Sequence, residues 1–166
     1  MMYEPKTYDH LLGTPGFSDQ LLKNHFALYQ GYVKNVNTLL QEREVLLRDG
    51  KGGSPAYAEL TRRFGWEFNG MRLHELYFGN MTKAGTALAE DASLLESIRQ
   101  GHGTFENWEK EFRAVGAMRG IGWTILACDF ESKELFTIWV NEHDVGYLAG
   151  CQPLLVLDVF EHAYTL

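Results

Sequence analysis

The closing segment LVLDVFEHAYTL, residues 155–166, places Asp158 four residues before His162 at the end of an apolar run. A carboxylate and an imidazole at that spacing can form a surface ion pair, work as an acid–base couple, or give one metal ion an oxygen and a nitrogen ligand from a single turn. The company of Leu154, Leu155, Val156 and Leu157 argues against the surface pair, because these residues deliver Asp158 out of what reads as core. Two more histidines keep similar company. His25 falls in a pattern with Phe17, Leu21, Leu22, Tyr29, Tyr32, Val36, Leu39 and Leu40, and His74 in one with Leu60, Phe64, Phe68, Met71 and Phe78. Both patterns advance by three or four residues, so each imidazole shares the core-facing side of a helix. One histidine on such a face is usually a hydrogen-bonded core residue. Three of them with a carboxylate form a ligand set suited to Fe, Mn or Zn. His10 and His102 lie in loop-like sequence and read as surface residues.

Other chemistries lack their residues. HEL at 74–76 has no second His to complete HExxH, Lys51 in GKGGSP does not follow the glycine spacing of a phosphate-binding loop, and GIG at 120–122 lacks the rest of a dinucleotide fingerprint. No GxSxG occurs. The two cysteines, Cys128 and Cys151, have no CxxC partner and read as buried or half-buried thiols rather than a disulfide.

Positioning such a site requires helices first and strands later. Pro5, Gly13, Pro15 and Gly16 mark a turn-rich N-terminal arm. Ser18 is a candidate N-cap for a long first helix, in which Gly31 allows a kink, and DGKGGSP at 49–55 ends it. A second long helix starts near Tyr57, and shorter ones fit DASLLESIRQ and TFENWEKEFRAVG, the latter capped by Thr104. GWTILACDF and ELFTIWV are rich in β-branched and aromatic residues and flank ESK, the pattern of an antiparallel hairpin. QPLLVLDV reads as a third strand that hands over at Asp158. The expected fold is α+β: an N-terminal long-helix hairpin, a helical segment and a small three-stranded antiparallel sheet, with the metal site between the two parts. The expected division is an N-terminal helical-hairpin domain over 1–82 and a C-terminal α/β domain over 83–166.

The totals agree with a globular protein. The chain has 166 residues, 45% of them hydrophobic and 22% charged. A net charge of −7 argues against a general nucleic-acid or anionic-membrane binder. There is no apolar stretch of membrane-spanning length and no leader-like N-terminus, so the expected location is cytoplasmic.

With these elements placed, the chain resembles the iron/manganese superoxide dismutase family. LDVFEHAY is similar to its D-x-W-E-H-A-Y signature, with Phe160 in place of Trp, and GIGW at 120–123 to its G-S-G-W. FNGMRLHELYF and LLKNHFALYQGYVKNVN resemble the segments around the family's second ligand and its first helix. The resemblance implies that His25, His74, Asp158 and His162 bind one Fe or Mn ion per subunit and that the chain disproportionates superoxide to oxygen and hydrogen peroxide. A scaffold that keeps the fold without the activity is the alternative. The resemblance further assigns Tyr32 to the proton path and Trp123 to the pocket wall. Glu161 becomes the acid that reaches the ligand His of the other subunit in a homodimer, with a tetramer as the larger assembly. Gly70 stands where many iron enzymes carry Gln, and His143, in the loop NEHD, takes the place that manganese enzymes give to Gln. Tyr29, Ile125 and Thr165 replace a common His, Trp and Tyr of the family's pocket and interface. The family continues past H-A-Y with further helices, so the expectation is that the sequence is incomplete at that end.

Overall fold

The computed structural model describes residues 2–90 and 92–165. Along the chain run α1 (Asp19–Arg48), α2 (Pro55–Asn80), α3 (Ser93–His102), α4 (Phe105–Gly116), β1 (Gly122–Asp129), β2 (Leu135–Asn141) and β3 (Cys151–Asp158), with single 3-10 turns at Asp9–Leu11 and Glu161–Ala163. The α+β architecture is the expected one. Ser18 caps α1 by accepting a hydrogen bond from Leu21 N, and Thr104 caps α4 by accepting from Asn107 N. α2 starts two residues before Tyr57, because the Ser54 hydroxyl accepts from Tyr57 N and Pro55 occupies the first turn, where its missing N–H costs nothing. Gly31 makes no break; α1 runs through it. His102 is not a loop residue: it closes α3, with Nδ1 2.9 Å from the Glu111 carboxylate, and Gly103 at φ +79° ends the helix behind it.

The sheet is antiparallel throughout, in the order β2-β1-β3. Alternation along β1 sends Trp123, Ile125 and Ala127 to one face and Leu126 to the other. The first face packs on α1 and α2 with Tyr29, Val33, Val36, Met71 and Phe78 in the larger core. The second covers a smaller core with Ile98, Trp108 and Phe112 from α3 and α4. Each fully buried side chain of this size contributes roughly 1.5–3 kcal/mol of transfer free energy, so the two cores clamp β1 from both sides. A register shift between Leu126 and Ala127 leaves Leu154 as an extra residue in β3.

Two polar attachments fix the helices against the rest. Asn80, the last residue of α2, accepts from Val156 N at 3.0 Å and donates to Leu154 O at 3.4 Å, so it is bound to β3 two residues ahead of Asp158. Tyr29 of α1 donates to Glu75 of α2 at 3.0 Å and accepts from Lys6 N of the N-terminal arm at 3.0 Å; Glu75 also takes Lys6 Nζ and Arg72. Tyr29 is wholly buried, so Tyr29→Phe should strand a Glu75 oxygen and the Lys6 N–H and cost about 1–3 kcal/mol. Thermal melts of the metal-free protein should show a lowered Tm. An unchanged Tm would mean that this cross-link adds nothing.

Candidate metal centre

Each histidine of the centre reaches it from a different element. His25 sits in the second turn of α1, His74 near the end of α2, Asp158 at the end of β3 and His162 in the following 3-10 turn. They converge on one oxygen: Asp158 Oδ2 lies 3.1 Å from His25 Nε2, 3.3 Å from His162 Nε2 and 3.7 Å from His74 Nε2. One ligand atom from each of the four residues falls within 4.8 Å of all the others, a grouping able to hold a metal ion. His25, His74 and Asp158 are buried, and the His162 side chain is 30% exposed.

The donor chemistry fits a cation. His74 Nδ1 donates to Gly70 O at 2.6 Å, which puts the hydrogen on Nδ1 and leaves the Nε2 lone pair facing the site. That Nε2 is buried with no hydrogen-bond partner among the described residues, a costly state that a bound metal ion would relieve. Burial drives the His74 pKa down to about 3, against the pull of Asp158, so the ring is neutral and able to serve as a ligand. Burial alone would raise the Asp158 carboxyl; hydrogen bonds from His162 and His25 outweigh it and hold the group at about 2, ionised. The Asp158 Oδ1 atom accepts from Phe160 N at 2.8 Å, which fixes the carboxylate's orientation.

A second set of side chains adjoins these four. Trp123 Nε1 donates to His143 Nδ1 at 3.0 Å, and His143 Nε2 lies 2.8 Å from Tyr32 Oη. Because an indole only donates, a neutral His143 must carry its hydrogen on Nε2. That hydrogen then goes to the Tyr32 oxygen, and the Tyr32 hydrogen is left for another acceptor. Burial holds His143 down at about 4 and lifts Tyr32 to about 12. Phe160 stacks between His143 and His162, with centroids at 4.9 and 5.2 Å. Gly70 has a packing reason to be glycine: a Cβ there would stand 2.7 Å from the Tyr32 ring. Ile125 is fully buried on the same sheet face as Trp123. Tyr32, Trp123 and His143 are thus brought together, whereas Glu161 is exposed on the 3-10 turn and makes no side-chain hydrogen bond among the described residues.

The family model described as iron/manganese superoxide dismutases, C-terminal domain, matches residues 90–166. A manganese superoxide dismutase of Haloferax volcanii is 37% identical over 171 residues, spanning 99% of this chain and 82% of that protein. The chain belongs to the iron/manganese superoxide dismutase family. Members named for iron are similar too: that of Aquifex pyrophilus is 33% identical over 97% of this chain and 77% of its own length, and that of Sulfolobus acidocaldarius 31% over 92% and 74%. Within this superoxide dismutase fold, sequence reasoning missed Asn80, which ties β3 to α2, and the α2 residues Trp66 and Asn69, which touch the His143 loop. Nothing local marks them, since each acts on a segment some 70 or more positions away.

The buried imidazoles predict a pH response. An unfolded histidine takes up its proton near 6.5, whereas His74 and His143 in the fold resist until about 3 and 4. Between those values the unfolded chain binds more protons, so stability falls as pH is lowered through that window. The Tm of the metal-free protein should drop between pH 7 and pH 4.5, and drop less in His143→Gln. A flat profile would show that these rings are not held neutral.

Proposed function

We propose that His25, His74, Asp158 and His162 hold one iron or manganese ion and that the chain disproportionates superoxide to oxygen and hydrogen peroxide there. The observation that carries this reading is the convergence of three imidazole nitrogens on one Asp158 oxygen, with His74 Nε2 buried and unpartnered. When bound, the ion supplies one-electron oxidation and reduction. The ligand set contributes a single negative charge from Asp158 and neutral nitrogens, which suits both oxidation states of either metal.

Forming hydrogen peroxide consumes two protons, and Tyr32 and His143 are placed to handle them. Tyr32 Oη can release its proton toward the centre while His143 Nε2–H, 2.8 Å away, donates a hydrogen bond to the phenol oxygen and steadies the negative charge left on it. Trp123 keeps His143 in the required tautomer by its bond to Nδ1. Trp123, with Phe160, also walls the pocket with apolar surface and limits water around the ligands. The domain division at 82/83 falls in the irregular segment that follows α2, consistent with ligands drawn from two units.

The measurement that decides is metal content together with superoxide consumption. About one Fe or Mn per chain and rapid consumption are expected. Asp158→Ala should lose most of the metal and with it the activity. Full metal without activity would favour the inactive scaffold, and an Asp158→Ala protein that kept both would refute the ligand assignment.

The assembly in this reading is a homodimer, in which exposed Glu161 finds the ligand imidazole of the other subunit. Support comes from the exposure of Glu161 and of the adjacent Tyr164, 64% exposed. Light scattering should give twice the chain mass, and Glu161→Ala should shift the equilibrium toward monomer; a monomeric wild type would exclude the pairing. Two free thiols, Cys128 and Cys151, support a cytoplasmic location, and no helix among the described residues is long and apolar enough to cross a membrane.

A further inference from the structure

His143 is delivered by an improbable turn. Asn141 and Val145 close it with paired backbone bonds, Asn141 N to Val145 O at 2.7 Å and Val145 N to Asn141 O at 3.3 Å, leaving Glu142, His143 and Asp144 as its tip. Glu142 has φ +51°, the left-handed region, where a long side chain costs on the order of 1 kcal/mol or more. The tip residue of a surface turn normally faces water, yet His143 is 0% exposed. A turn strained in this way and aimed inward needs attachments outside itself to keep it there.

α2 supplies them. Trp66 Nε1 donates to the Glu142 carboxylate at 3.2 Å, and its ring centroid lies 4.4 Å from the His143 ring at an interplanar angle of 69°. Asn69 Nδ2 donates to His143 O at 2.9 Å. On the other side, Glu142 N donates to Ile121 O at 3.0 Å. Trp66 is itself immobilised: the Arg63 guanidinium sits 3.9 Å from its ring centroid and pairs with buried Glu67, which Asn35 of α1 also reaches. Trp66 and Asn69 are three apart on one helix, and that helix bears His74 five residues after Asn69.

We propose that Trp66 and Asn69 are positioning residues that hold the His143 turn against the metal centre, so that one rigid helix sets both a ligand and the proton relay. The inference rests on the role given above to Tyr32 in proton delivery and to His143 in steadying it. A relay carried by a loop alone would wander by more than the fractions of an ångström that proton transfer tolerates; anchoring it to α2 ties it to His74.

The test is a set of mutant cycles on the metal-loaded protein. Trp66→Phe and Asn69→Ala should each retain the wild-type metal content and lower kcat on the order of tenfold, with KM changed less. Glu142→Gln, which still offers an acceptor to Trp66, should keep most of the parent kcat. In a His143→Ala background the two α2 substitutions should have no further effect, because they act through that side chain. Independently of activity, hydrogen exchange of the Trp123 indole N–H in the metal-free protein should speed up in Asn69→Ala, since its acceptor is no longer held. Effects that persist in full in the His143→Ala background, or unchanged kcat and indole exchange in both single variants, would overturn the proposal. A wild type without metal or activity would instead defeat the superoxide reading, and indole exchange would still decide whether α2 holds the turn.

Discussion

Everything in this molecule is arranged around one buried oxygen atom. Asp158 Oδ2 has three imidazole nitrogens within 3.7 Å, and they come from α1, α2 and the turn after β3. Left to itself the arrangement is unfavourable: a carboxylate away from water, and a His74 nitrogen with nothing to bond. The apolar cores must therefore hold together groups that would separate in solution. The sheet supplies the carboxylate, the helix pair supplies two of the rings, and Asn80 and the Tyr29–Glu75 bond keep those parts in step.

This arrangement divides the labour between rigid and adaptable parts. The candidate ligands on α1, α2 and β3 are placed by helix and strand geometry, whose repeat distances hardly vary. His143 comes from a turn with an unfavourable Glu142 conformation, closed by backbone bonds between Asn141 and Val145 and met from outside by the α2 side chains Trp66 and Asn69.

Much of the framework is legible in the sequence. His25 and His74 fall on apolar stripes of helical spacing, and those stripes bury in the structure. Asp158 follows a run of apolar strand residues, and Ser18 and Thr104 announce their helices because a hydroxyl can bond an unpaired N–H only at that place. What escaped is what depends on partners distant in sequence. Gly31 weakens a helix intrinsically, but packing of α1 along α2 overrides the preference. His102 looks like loop because glycines flank it, and only Gly103 proves to be the stop. The left-handed Glu142 and the grip of Trp66 and Asn69 had no local signal, since a donor on one helix says nothing about which distant carbonyl it will meet.

The ladder through the middle of the sheet has one last implication. Trp123 on β1 lies directly across from Asp158 on β3 and from Val140 on β2, two residues before the turn that carries Glu142. Side chains alternate between faces with a period of two, so deleting or inserting a single residue in β1 would turn either the tryptophan or the carboxylate toward α4 instead of toward the helix pair. Substitutions within this strand trade one packing for another, whereas a change in its length reverses parity. The centre is therefore protected by counting: unless a bulge such as that at Leu154 absorbs the change, the number of residues in β1 matters as much as their identity.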